Sequence, residues 1–352
     1  MFFKKKNPIG LDIGSSYLKA VRLNDTPDGY ELSFMGIHPL EHDLIVEGTI
    51  KDKQKLASSI KDLLRKSGVH GGDVVIGVSG HSSVIIKKIS VPSMSAEELG
   101  ASIKYEAEQY IPFDINDVNI DFEIIGPKPD EEGQMDVLLI AAKKNVIADY
   151  TEVVELAGLD PLIMDVDAFS LSNMYELNYE SEEKKNVALV NVGASKTNIN
   201  ILHDGRSLFT RDSAMGSNRH TEILQRDMEI SWEDAERVKM GQSVAGISPE
   251  NAQLAIASAS DEIYTEIYRS FEFFTSSTGE EEVGEIILSG GAALIKGFPE
   301  MMSDKLGIRV NVADPFSKIK IPDRLDPAGI KSMAPIAAVS VGLALRRAGD
   351  KT

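Results

Sequence analysis

The segment Ile9-Gly10-Leu11-Asp12-Ile13-Gly14-Ser15-Ser16 decides the fold, and Leu189-Val190-Asn191-Val192-Gly193-Ala194-Ser195 repeats its design in the second half of the chain. In each segment an apolar run predicts a strand that enters a turn, with Asp12 or Asn191 two residues before the turn glycine. A second apolar run follows each turn, so each segment predicts a hairpin. Two such halves facing each other would enclose one cleft between the two turns.

The composition predicts a globular protein of two domains. The chain has 352 residues, a formal net charge of −18 and no cysteine. Its length suffices for a large buried core, and its acidity argues against nucleic acid as a partner. The absence of cysteine excludes disulfides and thiolate metal sites. No apolar run is long enough for a transmembrane helix, and the Met1–Lys6 start has no signal-peptide core behind it, so we expect a soluble protein.

The region between the two segments predicts a separate α+β block at 79–162. Ser95 and Glu98 form a capping box that opens one helix, and Asn145 is expected to cap a second. Strands are expected around Val118–Ile125 and Val137–Ala142. Near the end of the chain, Ser332–Arg346 predicts one apolar helix.

The glycine turns have the chemistry of phosphate sites. A turn with glycine exposes backbone N–H groups to phosphate oxygens. Asp12 could hold Mg²⁺, which prefers oxygen ligands and keeps several waters. Lys19 is a candidate phosphate partner, and further hydroxyl donors are Ser15, Ser16, Ser195 and Thr197.

A third glycine stretch, Ser289-Gly290-Gly291-Ala292, follows a predicted buried strand. Together with the two turns it resembles the actin-like ATPase superfamily, whose motifs are called phosphate-1, phosphate-2 and adenosine. The resemblance implies a cleft that binds ATP with Mg²⁺. It assigns Asp12, Gly14, Ser15 and Ser16 to phosphate-1, Gly193, Ala194 and Ser195 to phosphate-2, and Gly290, Gly291 and Ala292 to the adenosine motif.

Two further positions resemble superfamily residues but have plainer readings. Glu236 and Lys239 resemble a Glu-x-x-Lys pair that approaches the ribose and base, and they equally fit a surface ion pair three residues apart. Gly216 resembles the glycine that opens the second lobe before its helices, and it equally fits a plain turn.

Two longer motifs, Tyr105–Asp114 and Asp165–Leu171, resemble the PilM family of type IV pilus assembly proteins, which is FtsA-like. The resemblance implies a cytoplasmic scaffold, peripheral at the inner membrane. It would belong to the pilus assembly complex and bind the N-terminal cytoplasmic peptide of a PilN-like inner-membrane protein, in a groove near Tyr105–Phe113 and the strands of the 79–162 block. Whether the chain self-associates is left open.

The resemblance also implies an actin-like fold in which two lobes have duplicated sheet and helix cores. The expected boundaries are subdomain 1A at 1–78 and 163–185, an inserted FtsA-type subdomain 1C at 79–162, subdomain 2A at 186–217 and 285–330, subdomain 2B at 218–284, and a C-terminal helix at 331–352 that returns to 1A.

One departure from the superfamily pattern bears on catalysis. Phosphate-2 usually has Asp where this chain has Asn191, which cannot supply a negative charge to organise Mg²⁺ or the attacking water. Asp165 or Asp167 could position that water, although either could instead cap a helix. We therefore expect slow hydrolysis. The alternatives are a sugar or carboxylate kinase of the same superfamily and an FtsA-like filament, for which the expected membrane-targeting tail is not found after Arg347.

Overall fold

A six-stranded sheet forms the first lobe in the computed structural model, which describes residues 7–80, 83–128, 131–180, 185–279 and 281–350. In pairing order its strands are β10 (Asp160–Val166), β6 (Asp73–Val78), β1 (Ile9–Ile13), β2 (Tyr17–Thr26), β3 (Gly29–Pro39) and β16 (Ile319–Lys320). The β1–β2 and β2–β3 pairs are antiparallel, whereas β6 pairs with β1, and β10 with β6, in parallel. The first predicted hairpin is therefore present.

The second lobe repeats this arrangement. In pairing order its strands are β13 (Arg206–Ser213), β12 (Thr197–His203), β11 (Asn186–Val192), β14 (Val283–Ser289) and β15 (Arg309–Val312). Here β11, β12 and β13 form the antiparallel meander, while β14 and β15 add in parallel beside β11. The two sheets thus share one topology, and this confirms the predicted duplication and the actin-like class of fold.

Two helices, α4 (Asp167–Asn178) and α10 (Ala338–Leu345), lie between the sheets and share one core with strands of both. Glycine allows them to approach closely. A Cβ at Gly342 would lie 1.7 Å from the Ser170 carbonyl oxygen, and one at Gly10 would lie 2.1 Å from that of Ser340. The outer face of the first sheet is covered by α1 (Lys53–Lys66) and α3 (Lys144–Leu156).

The remaining strands β4 (Ile45–Val46) and β5 (Thr49–Ile50) pack in the core of the first lobe. The remaining helices of the second lobe are α5 (Asn218–Met228), α6 (Trp232–Lys239), α7 (Pro249–Thr278) and α8 (Phe298–Leu306), and α9 (Pro327–Ser332) packs against the shared core. Among the described residues, no helix combines the length and the apolar character that crossing a membrane requires. The basic Met1–Lys6 start lies outside the described residues.

The inserted block has its own small sheet. Its strands pair in the order β7 (Val84–Pro92), β9 (Gln134–Lys143) and β8 (Val118–Pro127), and α2 (Ala96–Glu108) covers one face with a separate apolar core. The predicted capping box is present, with Ser95 and Glu98 bonded reciprocally. The first and last residues of the block are neighbours in space, since the Lys143 N–H donates to the Ser83 carbonyl at 2.9 Å. We call residues 83–143 the inserted block.

Packing places two parts of the expected 79–162 subdomain in the first lobe. Helix α3 packs against α1 in the core of the first sheet, and β10 pairs with β6. The expectation that Asn145 caps α3 was wrong. The cap position is Lys143, which makes no side-chain capping bond, because the helix follows β9 directly and leaves no loop for a capping residue.

The predicted single helix at Ser332–Arg346 is also divided. Residues Ala334–Ala337 form a 3-10 turn, and the α-helix begins only at Ala338. The reason lies in the fold: the Gly290 N–H donates to the Pro335 carbonyl at 3.0 Å, which draws that carbonyl away from an α-helical partner. This turn thereby supports the third glycine stretch.

Candidate functional site

The two glycine turns close in the same way. The Gly14 N–H donates to the Tyr17 carbonyl at 3.2 Å, and the Gly193 N–H donates to the Lys196 carbonyl at 2.9 Å. A Cβ at Gly14 would lie 2.8 Å from Lys19 Nζ, so a side chain there would displace that lysine. The similar sequences therefore give the same local backbone arrangement in both lobes.

The turns meet across a cleft between the lobes, where Ser15 Oγ donates to Ser195 Oγ at 2.9 Å. The cleft is a partly enclosed pocket that opens to solvent. Most of the predicted site residues line it: Asp12, Gly14, Ser15, Ser16, Lys19, Asp167, Asn191, Gly193, Ala194, Ser195, Glu236, Lys239, Gly290 and Gly291. The structure thus brings together groups from all three glycine segments.

Thr197, Gly216 and Ala292 do not line the cleft, and each supports its wall. Thr197 Oγ1 donates to the Met215 carbonyl at 2.7 Å. A Cβ at Gly216 would lie 2.5 Å from the Ala194 carbonyl oxygen, so glycine is needed for the chain to pass behind the second turn. Ala292 is fully buried. We therefore assign these three residues a positioning role.

Gly290 holds the third stretch against the second turn. Its φ is 88°, and a Cβ there would lie 2.4 Å from the Val192 carbonyl oxygen. Both the left-handed backbone and the close approach require glycine. This position joins β14 to the second turn and to the 3-10 turn before α10.

Asp12 and Lys19 form an ion pair in the cleft, with Lys19 Nζ at 2.9 Å from Asp12 Oδ2. They lie opposite each other on β1 and β2, so the hairpin register itself sets the pair. Burial raises the pKa of the Asp12 carboxyl, and the Lys19 ammonium opposes this shift. The hairpin thus presents one acidic and one basic group beside the first turn.

A second ion pair crosses the cleft, and the sequence did not predict it. Lys196 extends from the second turn to the first lobe, where its ammonium contacts Ser79 Oγ and lies 3.5 Å from Asp167 Oδ2. Burial disfavours the charged ammonium, but Asp167 and further acidic neighbours outweigh that effect, so the pKa of Lys196 is raised. Its contacts come from the other lobe, which no local pattern shows.

Asn191 is bonded at both ends of its amide. Its Nδ2 donates to Asn198 Oδ1 at 3.2 Å, and its Oδ1 accepts from Ser289 Oγ at 3.2 Å. Asn198 in turn donates to Asp212 at 2.7 Å, and Asp212 accepts from the Gly80 N–H at 2.5 Å. The residue that departs from the superfamily pattern is therefore part of a polar network that joins the lobes.

Glu236 and Lys239 form an ion pair three residues apart on α6, as one interpretation of the sequence predicted, and both also line the cleft. Lys239 Nζ lies 2.5 Å from Glu236 Oε1 and donates to Thr221 Oγ1 at 2.9 Å. Burial lowers the pKa of Lys239, although Glu236 opposes the shift. The apolar part of the wall, which the sequence did not predict, comprises Ile13, Tyr17, Met240, Leu294, Met333, Ile336 and Val339.

Asp165 lies outside the cleft, in contrast to Asp167. It is 1% exposed, and its carboxylate lies 3.3 Å from Arg346 Nε. Burial raises the pKa of Asp165, and Arg346 opposes this shift. Neither residue caps α4, whose N-terminal position is Val166. Of the two predicted catalytic aspartates, only Asp167 can face a ligand in the cleft.

A second concavity, which we call the groove, lies between the inserted block and the first lobe. It is lined by Val78, Gly100, Ile103, Lys104, Val118, Asn119, Ile120, Asp121, Phe122, Ile140, Ala142, Lys144, Ile147, Met164, Asp165 and Val166. The α2 residues that line the groove, Gly100, Ile103 and Lys104, precede the expected segment Tyr105–Phe113 in the chain. Tyr105 is 81% exposed and does not line it, while Tyr110 and Phe113 pack into the core of the block.

A family model described as "Type IV pilus assembly protein PilM" matches residues 10–348. The chain belongs to the PilM family. A solved structure of a "PilM-PilN type IV pilus biogenesis complex" is similar to it, with a TM-score of 0.85, 27% identity, and coverage of 97% of this chain and 99% of that chain. The family assignment confirms the predicted resemblance and places the chain among actin-like proteins of type IV pilus assembly.

More distant relatives of this PilM family member agree with the fold. FtsA of Bacillus subtilis is 23% identical over 93% of this chain and 83% of its own length. The structure of MreB5 of Spiroplasma citri bound to ADP has a TM-score of 0.53 at 13% identity, covering 96% of this chain and 94% of that chain. The likeness to MreB5 shows the fold alone.

Proposed function

We propose that this chain binds ATP between its two glycine turns. The observation that supports this best is that all three glycine segments line one cleft. The serine hydroxyls of both turns and the Lys19 ammonium suit phosphate oxygens. Glu236 and Lys239 of α6 line the cleft together with apolar residues such as Leu294 and Ile336. That combination suits a ribose and a base.

Mg²⁺ is proposed to accompany the nucleotide. The residues fit such an ion, because Asp12 uses Oδ2 for Lys19 and keeps Oδ1 directed toward the first turn. In the described part of the chain, no group of three or more acidic or histidine side chains could hold a metal unaided. Mg²⁺ in nucleotide sites is usually bound mainly by phosphates and waters. Bound there, Mg²⁺ would offset phosphate charge, and Asp12 would hold it directly or through a water.

Slow hydrolysis is part of the proposal. Asn191 supplies no charge, and its amide is engaged by Asn198 and Ser289. Asp167, the remaining candidate to position water, accepts a hydrogen bond from Ser79 and lies beside the Lys196 ammonium. An attacking water would have to compete with both donors for this carboxylate. Binding with slow turnover suits a scaffold better than a kinase.

The groove is proposed to hold the cytoplasmic N-terminal peptide of a PilN-like inner-membrane protein. Ile103, Phe122 and Met164 offer apolar contacts there. Within the described residues, β8 pairs only with β9, so its outer edge can add an extended peptide as a further strand. The similar solved complex contains PilM and PilN, which supports this choice of peptide.

Through that peptide the chain would work at the inner membrane as a peripheral component of the pilus assembly complex. The protein would be a cytoplasmic scaffold. Disordered tails bind through a few buried anchors, so affinity should depend on the apolar groove residues more than on rim charges. Self-association is a further property to measure, because FtsA relatives share the fold.

Two measurements on the full chain test the proposal. Nucleotide released from the purified protein is identified by chromatography, and ATP affinity is measured by calorimetry with Mg²⁺. Fluorescence anisotropy then follows a labelled PilN-like N-terminal peptide, with a scrambled peptide as the control. We expect ATP binding and sequence-dependent peptide binding. Failure of the first overturns the nucleotide site, and failure of the second overturns the scaffold role.

Removing the inserted block sharpens the peptide test. Because Ser83 and Lys143 are hydrogen-bonded neighbours, residues 84–142 can be replaced by a short linker while α3 and β10 stay in place. A deletion of 79–162 would instead remove α3 and the first three residues of β10 from the first lobe. We expect the shorter deletion to keep ATP binding and lose peptide binding. Equal peptide affinity in a folded deletion variant contradicts the proposed groove.

A further inference from the structure

Lys196 is a cleft residue that no motif of the resemblance covers. It follows Ser195 in the second turn and reaches across to Ser79 and Asp167 of the first lobe. The two contacts lie at the ends of β6 and β10, where the chain leaves the first sheet. Its side chain remains 32% exposed and lines the cleft. A ligand in the cleft can therefore reach the ammonium.

Lys196 offsets negative charge that would otherwise oppose an anionic ligand. Three carboxylates act on its ammonium, those of Asp167, Asp212 and Asp12, and Lys19 is paired with the last of these. Without Lys196 this end of the cleft would present net negative charge to a phosphate. The first turn has Lys19 beside Asp12, and the second turn has Lys196 beside Asp167, so each turn contributes one lysine.

The position of Lys196 along the cleft indicates which phosphate it meets. The proposed nucleoside end lies at α6, with Glu236 and Lys239. Lys196, in the second turn, contacts Ser79 and Asp167 at the strand ends of the first lobe, whereas Lys239 pairs with Glu236 on α6. A nucleotide whose nucleoside lies at α6 and whose phosphates pass between the turns would bring its terminal phosphate toward Lys196.

We propose that Lys196 recognises the terminal phosphate and sets the preference of this site for a nucleoside triphosphate over a diphosphate. The inference rests on the proposed nucleotide binding. A phosphate oxygen competes with Asp167 for the ammonium, and the existing contact of 3.5 Å is long for a charge-assisted bond. A diphosphate leaves Lys196 with Asp167, whereas a triphosphate gives the ammonium a second anionic partner.

Calorimetry with ATP and with ADP, both with excess Mg²⁺, tests this on the full chain. Lys196→Met should weaken ATP binding roughly tenfold or more, since one charge-assisted bond is lost, and should weaken ADP binding much less. Lys196→Arg should keep most of the preference. Asp167→Asn should shift the preference in the opposite direction, toward ATP, because it removes the competing carboxylate. Lys61→Met, on the exposed face of α1, controls for overall charge.

Circular dichroism melts show which variants are folded. If Lys196→Met does not fold, the comparison of Asp167→Asn with Lys196→Arg still tests the inference. Equal losses for ATP and ADP in Lys196→Met, or an unchanged ATP-to-ADP ratio in all three cleft variants, would overturn this inference and leave the nucleotide site intact. Wild-type protein that binds neither nucleotide would overturn both proposals.

Discussion

Asp165 and Asp167 are two positions apart, yet they line different cavities. Asp167 faces the cleft between the glycine turns, whereas Asp165 lies in the wall of the groove beside the inserted block. Val166, between them, is the last residue of β10, and α4 begins at Asp167. The end of one strand therefore forms part of both proposed sites, and the two carboxylates should respond differently to substitution.

Asp165→Asn should destabilise the protein without changing ATP turnover by the folded molecule. The substitution leaves Arg346 buried without its anionic partner, and losing one member of a buried pair costs about 3 kcal/mol or more. Urea unfolding gives the stability, and phosphate release gives turnover. A large fall in turnover with unchanged stability would restore Asp165 as a catalytic candidate.

Asp12→Asn should weaken ATP binding by roughly tenfold in the presence of Mg²⁺ and should not weaken it in EDTA. The amide keeps the shape of the side chain but loses the charge that holds the ion, and without the ion it also repels phosphate less. Calorimetry under both conditions checks this. Asp28→Ala, in the exposed β2–β3 turn, is the control. Equal weakening in both conditions would mean that Asp12 acts structurally.

Asn191→Asp should raise ATP turnover by roughly tenfold or more, because it supplies the missing charge near the phosphates. It should also reduce the free energy of unfolding by about 1–3 kcal/mol. The new carboxylate cannot donate to Asn198 Oδ1, and Asn198 cannot turn without losing Asp212. Asn191→Ala loses the bonds to both Asn198 and Ser289 and adds no charge, so its turnover should stay at the wild-type level, well below about 10 s⁻¹.

Gly100→Leu should stabilise the protein and weaken peptide binding. Gly100 lies in α2 and lines the groove, and a Cβ there would meet the Phe122 ring at an ordinary 3.8 Å. Replacing a helical glycine should add about 0.5–1 kcal/mol of stability, while the larger side chain fills part of the groove. Ala101→Leu, the exposed neighbour that does not line the groove, should leave peptide affinity unchanged. Equal peptide affinity in both variants would contradict the groove assignment.

His220 should make stability depend on pH below neutrality. Burial, aided by the nearby Lys239, lowers the pKa of His220 to about 4, against about 6.5 when unfolded. The unfolded chain therefore binds the extra proton between these values, and the contribution is complete above pH 6.5 and lost as the pH falls toward 4. Unfolding in urea across this range should show a loss of about 3 kcal/mol that His220→Gln lacks.

The sequence predicted those cleft residues whose positions are set by a single hairpin or turn. Asp12 and Lys19 are register partners in a hairpin, and Gly14 and Gly193 open turns whose hydrogen bonds close within a few residues. Such features follow from local backbone chemistry, so their spacing in the chain predicts them. The expected helix cap at Asn145 failed for the opposite reason, because β9 runs directly into α3 and tertiary packing determines where the helix begins.

By itself the sequence determined the duplicated halves, the three glycine segments and the family, since strand, turn and glycine patterns are properties of contiguous residues. Only the tertiary structure decided the partner of Lys196, the separation of Asp165 from Asp167, and the position of the groove. Each of these depends on which residues of one lobe or block face those of another, as in the bond between Ser15 and Ser195, which are 180 positions apart. Such contacts form when apolar faces pack between elements, and that packing brings distant polar groups together without leaving a periodic pattern in the chain.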